Sequence, residues 1–326
     1  MMDGLLTLAI DNLSSPLILS FVLGVGAALA RSDLTFPEAA AKALSIYLLF
    51  AIGFKGGVSV ADHGADLSLG AAILAGVALS AALPLIAFGL LKVLTRLDRT
   101  NAAAVAGHYG SISIVTFVAG TSVLEGQGIP YEGYMVAVAE AMEAPAILSA
   151  LWLLSAGGGE KRMDGHLWRE IMLNGSIVLL VGAFAIGMIT GKDGLAEIES
   201  FIVSPFKGAL CLFLLDMGLV AGRGIRQSRG VITPGLLLFG VVMPPIGAAI
   251  GLTAALALGL STGGVLLLMV LSASASYIAV PAAMRVAVPE ADAGIYLTLS
   301  LGVTFPFNLT LGLPLYLAAA QAVIGG

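Results

Sequence analysis

The stretches AGHYGSISIVTFVAGTS (Ala106 to Ser122) and LSASASYIAVPAAMR (Leu271 to Arg285) occupy matching places in the two halves of a 326-residue chain, and both are apolar segments interrupted by serines. Backbone that leaves the helical ladder inside a bilayer finds no water to satisfy it. Such a break persists only where protein buries it or where it lines a solvated cavity. Two breaks at equivalent positions of an internal repeat put a substrate site between them.

Composition sets the solvent around these segments. Hydrophobic residues make up 59% and charged residues 11% of the chain, with mean hydropathy +1.03, which excludes an ordinary soluble domain. The 42 glycines suit close contact between membrane helices, and the absence of alternating strand patterns argues against a barrel. The single cysteine, Cys211, lies in an apolar run and reads as a packing residue. The N-terminus, with Asp3 and Asp11 and no basic region, reads as a retained span and not a signal peptide. No basic, aromatic-interleaved surface suggests nucleic acid. No nucleophile elbow, metal-ligand spacing or phosphate loop suggests an enzyme or a bound cofactor.

A helix needs about 20 apolar residues to cross the hydrocarbon core. Ten segments meet this, some with breaks: 16–30, 39–54, 67–94, 101–123 and 134–154, then 171–190, 201–219, 232–260, 265–288 and 295–324. Basic residues fall in every second connection: Arg31 with Lys42, Lys92 with Arg96 and Arg99, Lys161 with Arg162 and Arg169, and Arg223 with Arg226 and Arg229. By the positive-inside rule these connections are cytoplasmic. The intervening ones carry Asp62, Asp66, Glu125, Glu132, Asp193, Glu197 and Glu199, with only Lys55, Lys192 and Lys207 near them. The expectation is a multi-pass protein of the cell (inner) membrane with both termini outside.

The halves also resemble each other. LFAIGFKGG (Leu49 to Gly57) aligns with LLDMGLVAG (Leu214 to Gly222) at an offset of 165 residues, Ser111 and Ser113 with Ser274 and Ser276 at 163, and Pro145 with Pro306 at 161. Five spans per half is an odd number, so the second half enters the membrane in the opposite sense, as an inverted repeat. The fold expected is therefore an all-α polytopic membrane protein of about ten transmembrane helices in two inverted five-helix repeats with two discontinuous helices. Residues 1–155 form the first repeat, 156–170 a short cytoplasmic linker beginning with three glycines, and 171–326 the second repeat.

The breaks offer Gly110, Ser111, Ser113 and Thr116 in the first segment and Ser272, Ser274 and Ser276 in the second as ligands for a small anion. A half-helix N-terminus ending inside the protein favours an anion. Carbonyls and hydroxyls of its partner favour a hard cation such as sodium, for which Ser113, Glu143, Ser274, Thr304 and Asn308 are the candidates. Small residues at these spacings also serve plain helix packing. Glu140 and Glu143 sit three residues apart on neighbouring parts of one helix face, Glu143 two residues before Pro145. A carboxyl inside a membrane span calls for a partner or a purpose; protonation or a bond to a neighbouring helix is the alternative for each, for Glu140 above all. Asp216 is a further acid. His108 reads as a structural histidine more than a proton relay, and Arg285 as a topology residue.

QGIPYEGY (Gln127 to Tyr134), EAMEAPAIL (Glu140 to Leu148), SASASYIAVPAAMR (Ser272 to Arg285) and the terminal PLYLAAAQAVIGG together resemble the sodium-dependent bicarbonate transporter family best known from cyanobacteria, over nearly the whole chain. The resemblance implies a symporter working by alternating access, with sodium as coupling ion and bicarbonate as substrate. It also implies a core of spans three to five and eight to ten, and a gate or scaffold of spans one, two, six and seven. Cyanobacterial members form homotrimers and bind a small PII-like regulatory protein on the cytoplasmic face. Where they carry an aspartate after the second serine cluster this chain has Tyr277, and their linker is much longer, which leaves sodium stoichiometry and regulatory contact open. Carriage of another small organic or inorganic anion coupled to sodium or protons, a passive anion channel and a ligand-sensing receptor are the alternatives, because fold does not fix substrate.

Overall fold

A computed structural model describes residues 14–63, 67–155, 175–227, 233–277, 280–281, 284 and 288–324. The expected linker 156–170 and Arg285 lie outside the described residues, within which the chain is helical with no strand. The helices are α1 (Pro16–Leu29), α2 (Glu38–His63), α3 (Leu67–Leu94), α4 (Arg99–Gly110), α5 (Ile114–Gln127), α6 (Met135–Ala141), α7 (Glu143–Ser155), α8 (Gly175–Ile202), α9 (Phe206–Gln227), α10 (Pro234–Leu258), α11 (Thr262–Ala273) and α12 (Ala293–Ile324). Among the described residues seven helical runs are long and apolar enough to cross a membrane, and α1 and α11 are shorter apolar helices.

Local chemistry sets the ends. Ser15 caps α1, accepting from Ile18 N–H at 3.3 Å with Pro16 in the first turn, where a missing N–H costs nothing. Asp98 caps α4, Thr233 caps α10 and Ser261 caps α11 in the same way. Gly128 and Gly259 close α5 and α10 in the left-handed conformation, which glycine enters without steric cost.

Apolar side chains fill a buried core and also cover much of the outer surface. Large apolar side chains of α3 (Leu67, Leu74, Val93), α8 (Val178, Ile189) and α10 (Leu237, Leu238) are exposed, a surface that only lipid or another protein satisfies. In the run Arg99–Gln127, α4 and α5 are instead almost wholly enclosed by protein. A helix apolar all round belongs in a core or a membrane, and here both hold.

The helices associate as two sets of contacts. α8 runs along α2 and α9 along α1, at crossings where glycine lets backbones touch. A Cβ on Gly24 would collide with Leu215 O and one on Gly218 with Phe21 O, while one on Gly57 would meet Phe184 O and one on Gly187 Phe54 O. α3 packs on α4 and α7, α10 packs on α11, and α3 touches α10. α12 lies against α11 and, through its first turns, against α9 and α10.

Candidate functional site

α4 and α11 are both twelve-residue helices that stop inside the protein. Each ends on an extended serine: Ser111 at φ −88°, ψ 166° and Ser274 at φ −85°, ψ 166°. The chain re-enters a helix after the first break, with Ser113 capping α5 by accepting from Thr116 N–H at 3.2 Å. The two breaks hydrogen-bond to each other. Ser113 N–H donates to Ser274 Oγ at 2.9 Å, and Ser276 N–H donates to the His108 carbonyl at 2.8 Å.

Proline and glycine on neighbouring helices seat this crossing. Pro84 within α3 has no N–H for the Ser80 carbonyl four residues earlier, and Gly110 packs onto Pro84 and that carbonyl, where any Cβ would collide. On the other side Gly247 and Gly251 of α10 press on Ser272. Gly110 is therefore a residue of close approach that sets where α4 ends. Pro244 likewise frees the Gly240 carbonyl, which the Thr304 hydroxyl takes at 2.7 Å, while the Tyr109 hydroxyl donates to Thr304 Oγ1 at 2.6 Å.

The expected ligands fall into two groups. Ser113, Ser274, Thr116 and Ser276 are engaged within the breaks: Thr116 Oγ1 donates to Ser113 Oγ at 2.9 Å, Ser274 Oγ donates to Leu271 O at 2.9 Å, and Ser276 Oγ accepts from Val280 N–H at 3.4 Å. The Ser111 and Ser272 hydroxyls, in contrast, are buried with no protein partner. Asn308 stands beside the second break, donating to Ala273 O at 2.8 Å and accepting from the Tyr316 hydroxyl at 3.1 Å. It and Thr304 lie in or at the edge of π-helical stretches, Thr298–Thr304 and Asn308–Gly312, on either side of Pro306; such loosened turns recur at functional sites.

The fifth expected span is interrupted between α6 and α7 at Met142, whose carbonyl accepts from the Ser80 hydroxyl at 2.5 Å. Glu143 begins α7, buried, and one carboxyl oxygen of each of Glu140 and Glu143 has no hydrogen-bond partner. Tyr277 is buried with its ring edge-on to Phe305 at 5.3 Å. Its hydroxyl lies beside Ser113 without well-formed hydrogen-bond geometry. His108 donates through Nδ1 to Ala104 O at 2.7 Å and stacks on Tyr296.

Chemically, the crossing gathers the carbonyl ends of two half-helices, the N-terminal end of a third, and spare hydroxyls in one dry place. Carbonyl ends attract a cation and an N-terminus attracts an anion. A family model for the Na+-dependent bicarbonate transporter superfamily matches residues 16–321. The chain belongs to that superfamily. No curated protein matches it.

The bicarbonate-transporter match gives a physical sense to the IPYE run. The Glu132 carboxylate accepts from Ser261 N–H at 2.7 Å and from Ser261 Oγ–H at 3.0 Å, on the N-terminus of α11. A Cβ on Gly263 would meet Pro130 O, and one on Gly264 the Glu132 carboxylate. A second contact between the halves joins Asp292 N–H to Asn101 Oδ1 at 2.7 Å beside the N-cap of α4. Sequence reasoning missed Glu132, Ser80 and Tyr109 as supports of the site. For Ser80 the signal was available, a polar residue four positions before a helical proline.

Proposed function

We propose that the chain is a sodium-coupled bicarbonate symporter working by alternating access, with the substrate held at the crossing of Ser111–Ser113 and Ser272–Ser276. The observation that carries this reading is the division of labour among the serines. Ser113 and Ser274 tie the breaks together, while Ser111 and Ser272, one in each break, keep buried hydroxyls without protein partners. A buried hydroxyl left without a partner costs stability, and a bound oxyanion removes that cost. Bicarbonate is small, planar and rich in acceptors, and the N-terminus of α5 adds a positive end.

Sodium belongs to the carbonyl ends of α4 and α11 with Ser113, Ser274 and Asn308, and with Glu143 as the charged contributor from α7. Thr304 takes part through its hold on Tyr109. Reciprocal features support the inverted ten-span reading: the matched serine caps, the matched glycine crossings of α1 with α9 and of α2 with α8, and the matched end loops of each half on the other. The first, second, sixth and seventh spans (α1, α2, α8, α9) then form the scaffold, and the remaining helices form the moving core. Trimeric assembly in an inner membrane and a PII-like cytoplasmic partner complete the reading, tested by mass measurement in lipid and by pull-down.

One sodium with one bicarbonate is electroneutral, whereas a second sodium adds about 2.3 kcal/mol per 100 mV of drive. Tyr277, which brings a ring and a hydroxyl but no carboxylate to the second break, favours the single-sodium stoichiometry. Purified protein in vesicles is expected to accumulate labelled bicarbonate under an inward sodium gradient, without current. Absence of accumulation overturns the reading, and uptake of another anion in a competition panel reassigns the substrate.

A further inference from the structure

A second charged cavity lies away from the serine crossing. Lys55 sits within the span of α2, eight residues before its end. Its Nζ meets Glu125 Oε1 of α5 at 3.2 Å, with the two side chains 32% and 37% exposed, and lies 5.4 Å from the centre of the Phe206 ring. Lys55 also lines a cavity of about 190 Å³ whose walls include Thr121, Tyr131, Val136 and Phe206. The cavity reaches inward. Ile52 lines both this cavity and a smaller one bounded by Ile114 and Val115, the first residues of α5 after Ser113. Thr121, Phe117 and Ile114 follow one face of α5 by their spacing, so the two cavities lie along the same face of that helix, on the side of α2.

We infer that this cavity is a second, entry site for a small oxyanion, with the Lys55 ammonium as its charge, the Tyr131 hydroxyl as its hydrogen-bond donor, and Glu125 as the resident carboxylate that the anion displaces. The inference deepens the transport reading and rests on it for the identity of the anion. Burial and the nearby Glu125 carboxylate push the Tyr131 phenol up to about 12, so the group keeps its proton and stays a donor. A part-exposed ion pair is weak, which makes the carboxylate a replaceable occupant. The Thr121 hydroxyl is committed to Val118 O at 2.9 Å and leaves the recognition to Lys55 and Tyr131.

The test uses Thr121→Cys in a Cys211→Ser background, labelled in sodium-loaded vesicles with a membrane-impermeant thiol reagent while bicarbonate is titrated. Bicarbonate is expected to slow the labelling. Lys55→Gln abolishes that protection, and Glu125→Gln lowers the half-protecting concentration about two- to fivefold, the factor set by loss of an exposed ion pair. Opposite signs are the signature, because both substitutions break the same pair: a mere structural latch shifts both variants in the same direction, and that result overturns the inference. Val136→Cys, on another wall, repeats the measurement if the first variant does not fold. Protection without sodium-driven uptake refutes the transport reading and leaves this site standing; uptake without protection refutes this site alone.

Discussion

Replacing Ser274 by alanine removes one oxygen from the place where the two breaks meet. That oxygen accepts from Ser113 N–H and donates to Leu271 O, each at 2.9 Å, in a side chain only 1% exposed. Leu271 O retains a longer bond from Ser274 N–H at 3.4 Å, so the main loss is a buried amide left without an acceptor, about 1–3 kcal/mol. Ser272→Ala is the control. It is equally buried, at 2%, but its hydroxyl has no partner to lose, and its removal costs under about 1 kcal/mol. Thermal unfolding in detergent is expected to show Ser274→Ala melting about 1–5 °C below the parent and Ser272→Ala close to it. Uptake separates the roles in the reverse sense, with Ser272→Ala stable but impaired in bicarbonate affinity. Equal destabilisation by the two substitutions, or an unshifted melt for Ser274→Ala, refutes the division between tying and binding serines.

Glu143→Gln is expected to raise the sodium concentration needed for half-maximal uptake while yield and melting stay near the parent; unchanged sodium dependence removes Glu143 from the site. Glu132→Ala strips two hydrogen bonds from Ser261 and a negative charge from the N-terminus of α11, a loss of about 2 kcal/mol, read as a lowered melt that a Ser261→Ala background reduces only in part, because the backbone N–H bond and the charge remain. Gly218→Val forces a side chain into Phe21 O and the Gly24 backbone, at a cost of at least about 1–3 kcal/mol. Gly208→Ala, on the same helix with open space around it, should be neutral or stabilising. Size-exclusion profiles of the two glycine variants distinguish these outcomes, and similar profiles refute the close-crossing argument.

The break positions were legible because their cause is local. Clustered serines compete with the helical backbone, and α4, α5 and α11 end or begin at Gly110, Ile114 and Ala273, inside the expected segments. Which serines are spare was not legible, since the S-x-S pattern is the same in both halves and only the crossing decides who bonds to whom. The fifth expected span was read as continuous, but it breaks at Met142, where Ser80 of another helix takes the carbonyl. α8 continues to Ile202, beyond the expected 171–190, through Gly191 at φ 60°. Its Lys192, Asp193, Glu197 and Glu199 read as a loop by charge, though polar residues are compatible with a helix that has left the bilayer. Lys55 and Glu125 were counted as separate connection charges, and their pairing exists only in three dimensions.

The contacts Glu132–Ser261 and Asp292–Asn101 both join the amino-terminal and carboxy-terminal portions of the chain. The amino-terminal portion supplies both acceptors, to Ser261 N–H at the start of α11 and to Asp292 N–H at the start of α12, so the carboxy-terminal portion is incomplete without it. Maturation is then a single late event that follows emergence of the last span. Two separately encoded fragments, 1–155 and 171–326, should be degraded when produced singly and rescued when produced together.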